Sequence, residues 1–292
     1  MSTARPCPCC SATHFRELPD HVRHHLARCR TCGMVFAHRP PTAQELEATY
    51  GSYPVIPALS PITKQRYLEL LDVFEGYRRT GRILDAGSGS GYFLDTAMER
   101  SWEAHGTEYD PAVVEACRAR GIHMQQGVLD PTHYEEGSFD VITSFEVLEH
   151  LVDPATELAH ISRLLRPGGI LYLTTPNFNS LARHIARGRW NIINYPEHLN
   201  YYTPRTLGRS LRKAGLDVDR IRTTGISVMR LRNSVVAPTK AQANADPGNA
   251  DQVLRSRIEG NPVLRFMKAT VNGLLTLTGM GDTLKVFATK PQ

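Results

Sequence analysis

Residues 83–94 read ILDAGSGSGYFL, an apolar run that ends in Asp85 and then gives way to glycines at 87, 89 and 91 before the pattern turns apolar again. The run before Asp85 reads as a buried strand and the residues after Gly91 as the start of a helix. Between them the alternating glycines supply a turn with almost no side chain. Such a turn bends sharply and lets a ligand lie directly against the backbone. In an open α/β sheet, ligands bind at the carboxyl ends of the central strands, which is where this turn falls.

The flanking sequence supports that placement. Short apolar runs alternate with helical patterns. RILDAG reads as strand, YFLDTAMERS as helix, EAHGTEY as strand, PAVVEACRARG as helix, and IHMQQG and FDVITSF as strands. ATELAHISRLLRPGG then reads as a helix stopped by its proline and glycines, and ILYLTT as the strand after it. Alternation with connections this short predicts a parallel sheet wound on both faces. KQRYLELLDVFEGYRR predicts a helix ahead of the first of these strands, LRKAGLDVDRIRT a further helix-turn-strand, and DTLKVFATK a closing strand. Between the last two, APTKAQANADPGNADQ is small, polar and poor in apolar residues, and reads as a mobile insertion.

The spacing also discriminates among nucleotides. A dinucleotide fingerprint would be G-x-G-x-x-G, and Tyr92 stands where its last glycine belongs. A Walker lysine is absent as well. LDAGSGSG resembles the first motif of the class I S-adenosylmethionine (SAM)-dependent methyltransferases. GSFDVITSFEVLEHLVDP resembles that family's fourth strand and following loop. LLRPGGILYLTTPN resembles its helix-turn-fifth strand, and GDTLKVFATK the antiparallel strand it threads between its fifth and sixth. The resemblance runs from about residue 82 to the end. It implies a doubly wound, seven-stranded α/β sheet, six strands parallel and the last in sequence antiparallel. Asp85, Gly87 and Gly89 would then meet the methionine end of SAM, with Gly91 also in the cofactor site. Glu108, about 20 residues further on, would hold the ribose hydroxyls. Leu129 would wall the adenine, and Phe145 and Glu146 would line the methyl-donor side. Val128 departs from the pattern, because many relatives carry an acidic or hydroxyl side chain there. The adenine amino contact then falls to backbone or to Asp130.

Four of the six cysteines form two pairs, Cys7/Cys10 and Cys29/Cys32, each C-x2-C and separated by eighteen residues. This is zinc-ribbon spacing. Four thiolates around one Zn2+ leave no open position, so the expected role is structural. Unliganded thiols, or a histidine (His14, His21 or His24) in place of one sulfur, are the alternatives. Cys9 is a spare that could compete with its neighbours, and Cys117 reads as a small core residue. The stretch CPCC…CRTCGMVFAHRPPTAQELEATYGSYP also resembles the leader of a ribbon-bearing bacterial methyltransferase subfamily. That resemblance implies a ribbon over residues 1–40, a helical connector or lid over 41–80 with Tyr50 or Tyr53 near SAM, and a methyltransferase domain over 81–292. Substrate-side insertions fall at about 176–210 and 226–281.

Methylating an alcohol calls for a base to take its proton, usually histidine. His150, in FEVLEHL, directly follows the fourth strand. His198 lies in PEHLNYYT, which resembles a P-E-H-L-x-aromatic-aromatic-T stretch of the same subfamily, many of whose members act in sugar, glycan or secondary-metabolite pathways. His198 is therefore expected to be the base, with Glu197 orienting it and Tyr201 or Tyr202 on the substrate. His150 is the second candidate.

The net charge of +5 is mild, but residues 182–232 hold eleven Arg and Lys against three acids (Glu197, Asp217 and Asp219). An anionic small acceptor, nucleotide-linked or phosphorylated, could meet Arg187, Arg189 or Arg205; a solvated helix face is the plain alternative. Methylation of a base amine would call for Asn-Pro-Pro-aromatic where this chain has SFEVLEH, so a nucleic-acid substrate is disfavoured. An RNA-directed enzyme using ribbon and basic segment, or a SAM-binding scaffold without turnover, stand as the other readings. The N-terminus lacks an apolar leader core, and no stretch reads as a membrane span, so a cytoplasmic location is expected. The late apolar segment NPVLRFMKATVNGLLTLTGMG is expected to be a helix packed on the domain, with a membrane-surface face as the alternative. The oligomeric state is not legible.

Overall fold

The computed structural model describes residues 4–50, 58–225 and 261–292. The stretch at 237–252 and the connector tyrosine Tyr53 lie outside them, as does the side chain of Tyr50. The chain forms two compact units: Met1–Thr49 with Pro176–Thr206 and Arg222–Leu284, and Tyr50–Thr175 with Leu207–Ile221 and Lys285–Gln292.

The second unit holds β4 (Arg82–Ala86), β5 (Glu103–Glu108), β6 (His123–Gln126) and β7 (Phe139–Phe145), and the greater part of β8 (Leu165–Pro176), β10 (Asp217–Thr224) and β11 (Thr283–Thr289), seven strands in the order β10-β11-β8-β7-β4-β5-β6. The pairs among β4, β5, β6, β7 and β8 are parallel. The Gly168 N–H donates to the Lys290 carbonyl and the Lys290 N–H to the Gly169 carbonyl, so the end of β11 lies beside the start of β8 and β11 runs antiparallel. The expected threading of the last strand between the fifth and sixth is thus present.

Helix starts follow a common local code. α2 (Pro61–Phe74), α4 (Pro111–Arg118) and α5 (Pro154–Leu164) each begin with proline, behind Ser60, Asp110 and Asp153, whose side chains accept a backbone N–H of the first turn. A polar cap satisfies donors that have no helical partner, and proline at the first helical position loses none. α3 (Tyr92–Met98) differs, starting at Gly91 without a side-chain cap. The core behind the sheet includes Ile83, Leu94, Val114, Val141 and Ile170, with α2 contributing Leu71 and Phe74.

RPGG departs from the expectation. The helix stops at Leu164, and Leu165–Gly169 form the irregular start of β8, with a register shift opposite Phe139 and Val141. Gly169 is required there because an added Cβ would fall 2.9–3.1 Å from three backbone carbonyl oxygens. At the same end of the sheet the fully buried Asp140 accepts backbone N–H groups of Arg79, Thr80 and Gly81 at 2.7–2.8 Å and the Arg166 Nε–H at 2.6 Å. These contacts outweigh burial and hold its carboxyl below the usual range.

The first unit carries the four-stranded antiparallel sheet β1 (Phe15–Glu17), β2 (Leu26–Cys29), β3 (Val35–Ala37) and β9 (Asn200–Tyr201), in that order. Its core joins Leu26, Val35 and Ala37 to Phe178, Trp190, Leu199 and Tyr201. α1 (Ala43–Tyr50) follows the ribbon, α6 (Leu181–Ala186) follows β8, and α7 (Pro204–Lys213) precedes β10. α8 (Pro262–Thr278) is capped by Asn261 and ends at Gly279, whose φ is +68°. The expectation that its apolar residues pack on the domain is not met. Val263, Phe266, Met267, Leu274 and Leu277 are all exposed, while Leu275 is buried. Among the described residues, no helix is long and apolar enough to cross a membrane.

Removing the Asp140 carboxylate strands a guanidinium and three amides. Asp140→Ala is expected to lower the unfolding free energy by about 3–5 kcal/mol, the usual cost of breaking a buried pair, as read by urea denaturation.

Candidate active site and cysteine cluster

In the second unit the glycine turn and the end of β5 meet. The Gly89 N–H donates to Glu108 Oε2 at 2.9 Å, while Glu108 Oε1 accepts the N–H groups of Tyr109 and Asp110 at 2.7 and 3.1 Å. Thr107 pins the other side: its Oγ1 accepts from the Gly87 N–H at 3.0 Å and its carbonyl from the Ser88 N–H at 2.8 Å. Gly87 has a φ of +77°, and a Cβ there would sit 2.6 Å from Val147, on the loop after β7. Gly91 is as constrained, with Cys117 and Arg120 each 2.8 Å from an added Cβ. Cys117 is the core residue expected, packed beneath the turn.

Asp85 is buried at the end of β4 and accepts from Thr143 Oγ1 at 2.7 Å, across the parallel pairing that places Asp85 beside Thr143. Burial, joined by the charge of Glu108, raises its pKa to about 7 against the opposing hydrogen bond from Thr143. Phe145 ends β7 with its ring 5.2 Å from Phe93 and 5.9 Å from Tyr67. Glu146 follows in the left-handed region, φ +56°, its N–H donating to the Thr174 carbonyl at 2.9 Å. A non-glycine residue held there is unusual and marks a tightly determined turn. Glu149 is buried and accepts from Thr175 Oγ1 at 2.9 Å, with His150 Nε2 3.9 Å from its other oxygen.

Leu129 is buried, its carbonyl 2.9 Å from His160 Nδ1. Val128 is exposed, its carbonyl accepting from Gln125. Asp130 Oδ1 accepts the Thr132 N–H and hydroxyl, capping the next turn.

Several residues of this site carry no motif in the sequence. Gly106, inside β5, admits Leu94, Met124 and Ser88 to within 3 Å of where a Cβ would stand, and a glycine inside a buried strand was the available signal. Thr107 and Thr143 emerge only from register, and Tyr109, next to Glu108, carries its ring exposed.

In the first unit, Cys7, Cys10, Cys29 and Cys32 converge, their four sulfurs within 4.8 Å of one another. The Cys7–Cys32 and Cys10–Cys29 sulfurs are each 3.5 Å apart. A tetrahedron with Zn–S bonds of about 2.3 Å has edges of about 3.8 Å, so the cluster has the size and ligand type of a four-thiolate zinc site. Cys9 turns away, its Sγ 3.6 Å from the Thr206 carbonyl, and the cluster contains no histidine.

Downstream in the same unit, His198 Nδ1 lies 2.7 Å from the Ile192 carbonyl. A carbonyl only accepts, so Nδ1 carries the proton and Nε2 is the basic nitrogen of the neutral ring. Glu197, expected to orient this ring, accepts from Asn194 Nδ2, and the orienting contact at Nδ1 is the Ile192 carbonyl. Tyr201 and Tyr202, expected on the substrate, are buried, and the Tyr201 hydroxyl donates to the His198 carbonyl at 2.9 Å. Arg187, Arg189 and Arg205 are exposed.

A family model described as "Methyltransferase domain" matches residues 62–221. The chain belongs to the methyltransferase-domain family. A Mycolicibacterium smegmatis protein described as a probable S-adenosylmethionine-dependent methyltransferase is 34% identical over 146 residues, 49% of this chain and 55% of that protein. A ubiquinone biosynthesis O-methyltransferase of Xanthomonas oryzae pv. oryzae is 26% identical over 182 residues, 56% of this chain and 73% of that enzyme. The chain spans 55% and 62% of the length of the first two curated relatives it matches. A crystal structure of a SAM-dependent methyltransferase from Archaeoglobus fulgidus superposes with a TM-score of 0.51 at 19% identity, covering 78% of this chain and 93% of that one. Strand order and family together make this a class I SAM-dependent methyltransferase domain.

Proposed function

We propose that the cleft at Asp85, Gly87, Gly89, Gly91 and Glu108 binds SAM, and that the protein moves its methyl group to a hydroxyl of a small, sugar-like or phosphate-bearing acceptor. One observation carries the cofactor reading: the carboxylate ending β5 and the bare turn ending β4 meet through the 2.9 Å Gly89–Glu108 hydrogen bond. Bound SAM supplies a methyl already activated by its sulfonium. The chain's part is to hold and to exclude water. Glu108 accepts the ribose hydroxyls, with the ring of Tyr109 and the side chain of Leu129 beside the adenine. Asp85 faces the cationic methionine end, and Phe145 and Glu146 line the methyl side. His198 takes the acceptor's proton on Nε2 as the new C–O bond forms, its ring held through Nδ1 by the Ile192 carbonyl. Glu197 fixes that loop through Asn194, and His150 is the rival base.

Cys7, Cys10, Cys29 and Cys32 hold one structural Zn2+. The ribbon at 1–40, connector at 41–80 and catalytic domain at 81–292, with substrate-side segments about 176–210 and 226–281, are the functional division we favour. A reducing cytoplasm suits cysteines kept as metal ligands rather than disulfides.

Three measurements test these assignments. Glu108→Ala is expected to weaken SAM binding by at least about tenfold in calorimetry, about 1.4 kcal/mol. The titration series also has a pH signature. Asp85, raised to about 7 in the free protein, must ionise to favour a cation. SAM affinity should therefore rise with pH up to about 7 and level above it, and Asp85→Asn should be weaker and flat across that window. His198→Ala is expected to keep SAM affinity and lose turnover about 100-fold or more. Retained turnover, with loss in His150→Ala, would transfer the role of base. Metal analysis of reduced protein should find one zinc per chain, lost when Cys29 and Cys32 are both replaced by serine.

A further inference from the structure

The outward face of α8 points to a second copy of this chain. We infer that two copies associate through α8, antiparallel and about a two-fold axis. The helix is inside out. Phe266 is 74% exposed, Leu274 58% and Leu277 85%, with Val263, Met267 and Val271 exposed beside them. The inward side is held by polar bonds instead: Asn272 Oδ1 accepts the Gly225 N–H at 2.9 Å, and Thr276 Oγ1 donates to the Thr223 carbonyl at 3.0 Å. So the polar face of this amphipathic helix is consumed within its own unit and the apolar face is presented outward.

Spacing names the occupant. Val263, Met267, Thr270, Leu274 and Leu277 alternate by four and three residues. That is the narrow seam by which one helix packs along another. The area fits as well. Scaling these exposures, with Leu264 included, by ordinary side-chain surfaces gives on the order of 700 Å2 of apolar surface per copy, or about 1,400 Å2 for a pair, within the range of specific protein interfaces. A membrane-lying helix would instead set a row of Lys and Arg along its polar face. α8 has Arg265 and Lys268 as its only charged residues, and Asn272 and Thr276 occupy the inward side. The closed solution for one self-complementary patch is a two-fold pair. Thr270 is the middle of the five seam residues, so a two-fold through it sets Val263 of one copy against Leu277 of the other. It also sets Met267 against the Gly273–Leu274 edge. Gly273 leaves room there, since nothing lies within 4 Å of an added Cβ.

Sedimentation velocity of the full chain from about 1 to about 100 µM tests this, because association is concentration-dependent. The expected result is a reversible shift from 32.6 kDa toward twice that mass. Replacing Leu274 and Leu277 together by glutamate should raise the dissociation constant by roughly a hundredfold, since each carboxylate would be buried unpaired against apolar residues of the other copy, near Met267 and Val263. Both positions are exposed, so circular dichroism, and the melting temperature at concentrations where wild type is monomeric, should be unchanged. Thr270→Cys should cross-link to its own counterpart under mild oxidation, against wild type with its six native cysteines as control. A mass of 32.6 kDa at every concentration overturns the proposal. So does a dimer indifferent to the glutamate pair, and so does a Thr270→Cys variant that dimerises without cross-linking. A monomer that binds phosphatidylglycerol vesicles, and loses them with the glutamate pair, assigns the face to lipid and overturns it equally.

Discussion

The contact on which the methyltransferase unit turns is the one between Glu108 and the glycine loop. Parallel strands leave their carboxyl ends as separate loops, with no hairpin to tie them. Here β4 and β5 are tied by chemistry: Gly89 donates to Glu108, and Gly87 and Ser88 donate to Thr107. These bonds require a turn without side chains, because Gly87 runs at a φ of +77° with Val147 against it. The price in conformational freedom that three glycines bring to the unfolded chain is offset by the backbone–side-chain bonds. Burial, joined by the charge of the same carboxylate, raises the pKa of Asp85, so the site brings two acids together where a cationic ligand is proposed to lie. A bound cation beside Asp85 would favour its ionised form against that burial.

What was legible in the sequence was what is coded locally. Strand, turn and helix could be placed around residues 83–94 because burial of both sheet faces leaves continuous apolar runs, and because glycine and proline punctuate them. The cysteine cluster was legible because two tight knuckles can aim four sulfurs at one point. Thr107 and Thr143 were not, since their roles come from the pairing of β4 with β5 and β7, which no single segment contains. RPGG misled for a related reason. Proline and glycines stop a helix and also permit an irregular strand start, and only the carbonyls crowding Gly169 decide between them. For α8 the periodicity identified an apolar face but could not say which way it turns; the decision came from Asn272 and Thr276, which find backbone partners on the inward side.

The two-residue strand β9 joins two of the proposals made for the first unit, the zinc site and the base. Asn200 and Tyr201 pair with Phe36 and Val35, adding the last strand to the sheet whose cysteines form the cluster. Arg5, two residues before Cys7, donates through Nη2 to Asn200 Oδ1 at 3.0 Å, and the Ala37 N–H donates to the Leu199 carbonyl at 2.9 Å. His198 therefore stands directly before a segment held on both sides by the ribbon, and Tyr201 reaches back to its carbonyl. A sheet of short strands has little core of its own, and small scaffolds of this size rely on a metal or disulfides to stay ordered. A cation at the four thiolates would lock the turns preceding β1 and following β2, and through β3 fix the register of β9. A metal closed in by these four thiolates, with no open position for chemistry, would then act on the proposed catalysis only by setting the geometry of the proposed base's loop. That coupling gives a physical reason for a ribbon at the head of the chain and the PEHL segment far downstream to belong to one compact unit.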